Sequence, residues 1–194
     1  QLPLTQESGL TLSADGRYSA FHGGVGSEIY LYDKRTGIRR AITQNAAMEY
    51  NLQLATESAI MVWARSEEND YYDVETVLYD IQTGQSRVVA DLARPEFISD
   101  DGSRILLSFS GDAKMFRGKD VIYNRVANAF DVVYDGRTPE AYSHDLQRFL
   151  YEENDSLIVY DRRDTSTTLI KKSEKLGDKF LTDSAGTKVL YQLQ

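Results

Sequence analysis

Residues 99–107, SDDGSRILL, decide the fold of this 194-residue chain. They combine a small polar residue, an Asp-Gly turn and a short apolar strand, since Asp favours turns and Gly accepts a positive φ. The same order occurs in residues 12–21, LSADGRYSAF. A pattern that recurs within one chain is typical of repeat architectures, so the period is the first property to establish.

The pattern recurs five times. Copies begin near positions 13, 55, 99, 143 and 182, at offsets of 42, 44, 44 and 39 residues, and the fifth copy needs one inserted residue to align. A four-stranded propeller blade takes roughly 40 to 50 residues. The sequence therefore predicts a single β-propeller domain over residues 1–194.

Each complete copy is predicted to be a four-stranded antiparallel meander. Eight residues after the first four starts lie Phe21, Trp63, Leu107 and Tyr151, each at the end of a continuously apolar strand, which indicates burial on both faces. A second strand then closes with Tyr before Asp or Asn, and a turn with Gly, Asn or Ser leads to a third strand. The repeated residues therefore predict the strands and turns of a propeller blade.

This order of small polar residue, Asp-Gly turn, apolar strand, Tyr-Asp strand and Thr-Gly turn resembles the WD40-like repeats of TolB-type propellers. It is also similar to the propeller domains of prolyl oligopeptidase-type peptidases. The resemblance covers nearly the whole chain and implies an extracytoplasmic, periplasmic or secreted, setting. Two copies depart from it, with Glu57-Ser58 and Asp145-Leu146 in place of Asp-Gly. We expect those two turns to close differently.

The two ends suggest how the ring closes. Residues 4–5 match Ile42-Thr43 at the end of a closing strand, so residues 1–5 are predicted to be the outer strand of a blade. The fifth copy has no counterpart of the Tyr-Asp strand. We therefore expect an all-β propeller of about five four-stranded blades with an incomplete last blade. Closure by the N-terminal strand is favoured over the alternative, a piece of a longer propeller.

Composition narrows the possible partners. The net charge is −8 and basic residues are dispersed among acidic ones, which argues against nucleic acid. The absence of cysteine removes disulfides, thiolate nucleophiles and Cys-type zinc sites. No apolar run approaches the ~18 residues of a membrane helix, so membrane insertion is not expected.

Loop variation is expected on the propeller face opposite the Asp-Gly and Thr-Gly turns, and binding is expected there. Its most unusual stretch, residues 67–73, contains four carboxylates around two tyrosines. We interpret Asp70, Tyr71, Tyr72 and Asp73 as a contact for a basic protein or a glycan. The alternatives are a solvated loop and, since oxygen ligands suit calcium, a calcium site without the EF-hand pattern.

A second loop of that face carries Met115, Phe116 and Arg117, two large apolar residues beside a cation. Arginine next to aromatic residues is the composition of an interface hot spot. The alternative is that the apolar pair covers a neighbouring blade or plugs the channel mouth.

No motif indicates catalysis. The two histidines, His22 and His144, are expected on opposite faces, and turn aspartates recur in several blades as structural residues do. There is no G-x-S-x-G elbow, glycine-rich phosphate loop or His-x-x-x-His. The sequence predicts a non-enzymatic protein-interaction module without a cofactor. The alternatives are the propeller portion of a serine peptidase and a five-bladed propeller that binds or acts on glycans.

Overall fold

The computed structural model describes residues 8–24, 27–45, 47–67, 73–109, 116, 119–133, 139–153, 156–172 and 176–193. Within these ranges the chain is all-β, with eighteen strands and no helix. They form four four-stranded antiparallel sheets and one two-stranded sheet, each a meander in chain order. This confirms the predicted propeller of four-stranded blades with an incomplete last blade.

The strands of the five sheets, or blades, follow in order. Blade 1 consists of β1 (Ser8–Leu12), β2 (Tyr18–Gly23), β3 (Glu28–Asp33) and β4 (Ile38–Ala41). Blade 2 consists of β5 (Met48–Leu54), β6 (Ile60–Ser66), β7 (Glu75–Asp80) and β8 (Gln85–Asp91). Blade 3 consists of β9 (Ala93–Ile98), β10 (Arg104–Phe109), β11 (Asp120–Asn124) and β12 (Ala129–Val132). Blade 4 consists of β13 (Ala141–Tyr142), β14 (Arg148–Glu153), β15 (Ser156–Asp161) and β16 (Ser166–Lys172). Blade 5 consists of β17 (Leu176–Thr182) and β18 (Val189–Leu193).

The first strand of each blade lies before the Asp-Gly turn. The pairing of β9 with β10 runs from Ile98 opposite Ile105 to Ala93 opposite Phe109. Residues 48–50 and 93–96, which follow directly on the link from the preceding blade, are therefore strand. The predicted closing strand at residues 1–5 lies outside the described residues.

The repeated turn is held by its serine and aspartate. Ser99 Oγ donates to Asp101 Oδ1 at 2.7 Å and accepts from the backbone N–H of Arg104 at 2.9 Å. Gly102 N–H donates to the carbonyl of Ser99 at 2.8 Å. The short polar side chains thus satisfy backbone donors in the turn, which explains why the pair recurs.

Two expectations about the turns were wrong. The fourth turn closes like the Asp-Gly turns, since Leu146 N–H donates to Ser143 O at 2.9 Å and Leu146 adopts a φ of 54°. Its side chain is fully buried, and this burial offsets the strain of a positive φ. The fifth turn needs no insertion, because the Asp183 N–H to Lys188 O bond places Asp183, not Thr182, at the serine position.

Backbone hydrogen bonds join each blade to the next beside these turns. The serine position of the five turns is held by Ser13, Ala55, Ser99, Ser143 and Asp183. Each bond joins residues one or two places after this position, so adjacent blades are aligned at equivalent points of the repeat. The bonds run from Ala14 N to Thr56 O, Glu57 N to Asp100 O, Asp100 N to His144 O and His144 N to Ser184 O, at 2.8 to 3.2 Å.

The core consists of three apolar clusters, one between each pair of neighbouring blades from 1 to 4. The residues predicted to end the apolar strands, Phe21, Trp63, Leu107 and Tyr151, are all buried. Because both faces of β6, β10 and β14 are covered, the prediction from their continuous apolar runs is confirmed.

A glycine comparison tests the turn geometry. A Cβ at Gly102, where φ is 69°, would lie 2.3 Å from Ser58 Oγ and 3.2 Å from Ile60 Cβ, whereas one at Gly16, where φ is 63°, would meet nothing within 4 Å. We expect Gly16→Ala to cost about 1 kcal/mol of unfolding free energy from backbone strain alone. Gly102→Ala should cost about 2 to 3 kcal/mol, since crowding adds to strain. Urea denaturation measures both, and equal losses would contradict the blade contact.

Candidate functional site

The structure places only part of the predicted binding face. Asp73 is exposed and Phe116 is partly buried. The other predicted residues lie outside the described residues, namely Asp70, Tyr71, Tyr72, Met115 and Arg117. Whether these positions contact a ligand stays a prediction.

Phe116 belongs to an aromatic cluster on blade 3. Its ring centroid lies 4.9 Å from that of Phe109 and 5.9 Å from that of Phe130, with tilted planes. We call these three residues the aromatic patch. Phe109 ends β10 and Phe130 lies on β12, so the loop residue joins two strands of the same sheet. These contacts lie within the blade that carries Phe116, not on a neighbouring blade, and the role of Phe116 at an interface stays a prediction.

The patch is open to solvent on one side because β12 is the outer strand of its sheet. Phe130 is 39% exposed and Val132, two residues on, is 44% exposed. Residues two apart on a strand share a face, so these apolar groups are adjacent. Asp131 lies on the other face and accepts from Arg162 Nη2 of blade 4 at 3.1 Å.

A polar contact fixes the base of the patch. Tyr123, whose ring lies 5.3 Å from that of Phe130, is buried and donates through its hydroxyl to Asn128 Oδ1 at 2.8 Å. Arg87 of blade 2 donates to the same hydroxyl at 2.7 Å. The patch therefore has a rigid support that spans two blades.

Two buried carboxylates, Glu49 and Asp120, were missed by the sequence analysis. Glu49 is 3% exposed on β5, and its Oε1 accepts from Asn45 Nδ2 at 3.3 Å. Burial raises the pKa of Glu49 to about 7, against the opposing effects of Asn45 and Arg65. Its Oε2 makes no hydrogen bond of normal geometry, although the indole N–H of Trp63 is near enough to lower the pKa.

Asp120 lies in a cleft of about 390 Å³ between blades 3 and 4. It is 7% exposed at the start of β11, and its Oδ2 is buried without a partner. Burial, together with the negative charge of Glu96, raises the pKa of Asp120 to about 6. A buried carboxylate without a hydrogen-bond donor is costly, so Asp120 is a candidate binding residue.

The histidines have separate environments. The ring of His22, at the loop end of β2, contacts the carbonyl of Ser27 through Nδ1 at 3.2 Å. His144 lies in the fourth turn, where Nδ1 is 3.1 Å from Asp100 Oδ2. Thr56 donates to the other oxygen of Asp100 at 2.5 Å. These side chains link three blades and give each histidine a structural partner.

The described residues contain no group of three or more His, Cys, Asp or Glu side chains that could hold a metal ion. The acidic loop proposed for calcium falls mainly outside those residues. Nor does the described part of the chain contain a helix that could cross a membrane.

Comparison with solved structures defines the class of protein. TolB from Acinetobacter baumannii matches 95% of this chain with a TM-score of 0.61 and 14% identity. An oligogalacturonate lyase in complex with manganese matches 92% with a TM-score of 0.66 and 13% identity. The Cps50 (Swd1) β-propeller domain from Myceliophteria thermophila matches 100% with a TM-score of 0.59 and 12% identity. The chain has a β-propeller fold like theirs.

No protein-family model and no curated protein sequence matches this chain. The chain spans 48% of the TolB chain, 56% of the lyase chain and 65% of the Swd1 domain. At such identities the likeness concerns the fold, and the activity has to be argued from the surface.

Proposed function

We propose that the chain is a non-enzymatic recognition module that binds a protein partner through the variable-loop face and the aromatic patch of blade 3. The observation that carries the proposal is the patch itself, three phenylalanines in mutual contact with Phe130 39% exposed. Exposed aromatic clusters on a rigid support are typical of interface hot spots.

The chemistry of the patch favours a protein over a glycan. Val132 extends its apolar surface along β12, and the nearby polar groups Arg87 and Asn128 are engaged with the Tyr123 hydroxyl. Sugar recognition would need polar groups free to bond hydroxyls beside an aromatic face. An apolar side chain from a partner protein would instead gain from burial against the phenylalanines.

The double variant Phe116→Ala/Phe130→Ala tests this proposal. We expect its affinity for the partner to fall roughly 30-fold or more, because hot-spot truncations cost at least about 2 kcal/mol. A partner captured by the wild-type chain from an extract of its source would be purified and titrated against both proteins by isothermal calorimetry. Thermal melting would show that the variant is folded.

Leu169→Ala is the matched control, since Leu169 is 60% exposed on the outer strand β16 of blade 4. It removes a similar apolar side chain from a different blade and should leave affinity unchanged. A partner that binds all three proteins equally would remove the aromatic patch from the binding surface.

We also propose an extracytoplasmic location, which is supported by the resemblance to TolB-type propellers and the net charge of −8. Fractionation of cells that make the protein tests this directly. Recovery in the cytoplasmic fraction would contradict it.

A further inference from the structure

Among the described residues that line the cleft between blades 3 and 4, acidic side chains outnumber basic ones. Asp120 on β11 and Glu96 on β9 both line this cleft, and the negative charge of Glu96 raises the pKa of Asp120. Arg94, the one cation among the described residues that line the cleft, donates through Nε to Glu96 Oε1 at 2.8 Å. Glu140 and Tyr142 approach from blade 4 and add no positive charge.

Asp120 is the least compensated of these groups. Its side chain is nine-tenths buried, and its Oδ2 has no hydrogen-bond partner. Burial and the charges of Glu96 and Asp120 also raise the pKa of Tyr142, so this phenol stays neutral. A group that brought a positive charge and N–H donors would satisfy the carboxylate and relieve its repulsion with Glu96.

The walls of the cleft limit what that group can be. Leu106 and Pro139 line it, and the volume of about 390 Å³ exceeds that of a bare ion. Within the described residues no set of three metal-ligating side chains exists there. An alkyl chain could lie along the apolar residues while its charged end reaches Asp120, as lysine side chains do when their stems are buried.

We propose that this cleft binds the primary ammonium group of a lysine side chain that a protein partner presents. The proposal rests on the proposed function, because it names one recognition element of the partner. Asp120 would accept from the ammonium group, Glu96 would add electrostatic attraction, and Leu106 would contact the stem.

The test uses Nα-acetyl-lysine methylamide, with the Nε-acetylated form as the uncharged probe. We expect NMR titration at pH 7.5 to show millimolar binding of the free amine, with shifts in residues of the cleft, and no binding of the acetylated form. Affinity should fall roughly tenfold at pH 5, where Asp120 is largely protonated and its charge is lost.

Asp120→Asn should weaken binding roughly tenfold or more at pH 7.5, since it keeps the shape and removes the charge. Asp91→Asn is the matched control, because Asp91 is an exposed acid on blade 2 outside the cleft. It should bind the amine like the wild type. Circular dichroism confirms that each variant is folded.

Several outcomes would overturn the proposal. Equal binding by wild type and Asp120→Asn would show that Asp120 is not the acceptor, and binding of both probes would show that the charge is not recognised. Tighter binding of free butylamine than of the lysine derivative would assign the cleft to a small amine. If the lysine derivative does not bind, the cleft is not a lysine site. If Phe116→Ala/Phe130→Ala still loses the protein partner in that case, the proposed function stands without the cleft.

Discussion

Replacement of Glu49 by glutamine is expected to stabilise the fold by about 3 kcal/mol at pH 8 and to leave it nearly unchanged at pH 4.5. The reason is burial, which raises the pKa of Glu49 from its ordinary 4.5 to about 7. Above pH 7 the folded protein must hold a charged carboxylate whose Oε2 has no hydrogen-bond partner. Glutamine removes that charge with little change in shape.

The direction of the pH effect follows from proton binding. Between pH 4.5 and 7 the folded protein keeps a proton on Glu49 that the unfolded chain has lost. Stability therefore falls as pH rises through this window and levels off above it. Asp120, with its pKa raised to about 6, adds a loss of the same sign at lower pH.

Urea denaturation of the wild type and Glu49→Gln at several pH values between 4.5 and 8 measures the effect. Glu57→Gln is the matched control, because Glu57 is exposed in the second turn and the substitution removes the same charge from the surface. If wild type and Glu49→Gln have parallel profiles, Glu49 is already ionised at low pH in the folded protein.

The period made most of the fold predictable. A residue at one place in the repeat meets the same neighbours in every blade, so the positions of Phe21, Leu107 and Tyr151 could be assigned to the core without coordinates. The serine and aspartate of the turn were predictable for the same reason. Their hydrogen bonds are local and depend on a few adjacent residues.

The fourth turn shows where this reasoning fails. The sequence shows a leucine where glycine is expected, and a positive φ is costly for leucine. What the sequence does not show is that Leu146 lies fully buried in the cluster between blades 3 and 4. The gain from burial depends on residues of another blade, which a local pattern does not contain.

The buried acids were missed for a related reason. Glu49 and Asp120 lie near strand ends beside polar segments, where acids are usually solvated. Their burial results from the packing of adjacent blades. A strand-by-strand prediction does not contain these contacts, so the cleft and its charge could be found only from the structure.

The aromatic patch was predicted in part. The composition of residues 114–117 indicated an interface, and Phe116 lies in the patch. The sequence pattern did not indicate its partners Phe109 and Phe130, which lie on β10 and β12. Contacts of this kind follow from strand order and register, in which Phe130 pairs with Tyr123 across β11 and β12.

Trp63→Ala is expected to cost about 3 to 5 kcal/mol of unfolding free energy, the usual range for truncation of a buried large aromatic residue. Trp63 is 3% exposed between blades 1 and 2, where its ring lies 6.4 Å from that of Tyr79. Truncation leaves a cavity between two sheets whose backbones are each held by cross-strand hydrogen bonds, so the site has little freedom to collapse.

Equilibrium denaturation with guanidinium measures this loss of unfolding free energy. A single cooperative transition would show that the blades still unfold together. Val88→Ala is the control, because Val88 is 40% exposed on the outer strand β8 of the same blade and should cost far less. A loss below about 1 kcal/mol for Trp63→Ala would mean that blades 1 and 2 repack around the gap. Contacts within each blade, rather than the packing between blades, would then dominate the stability of the propeller.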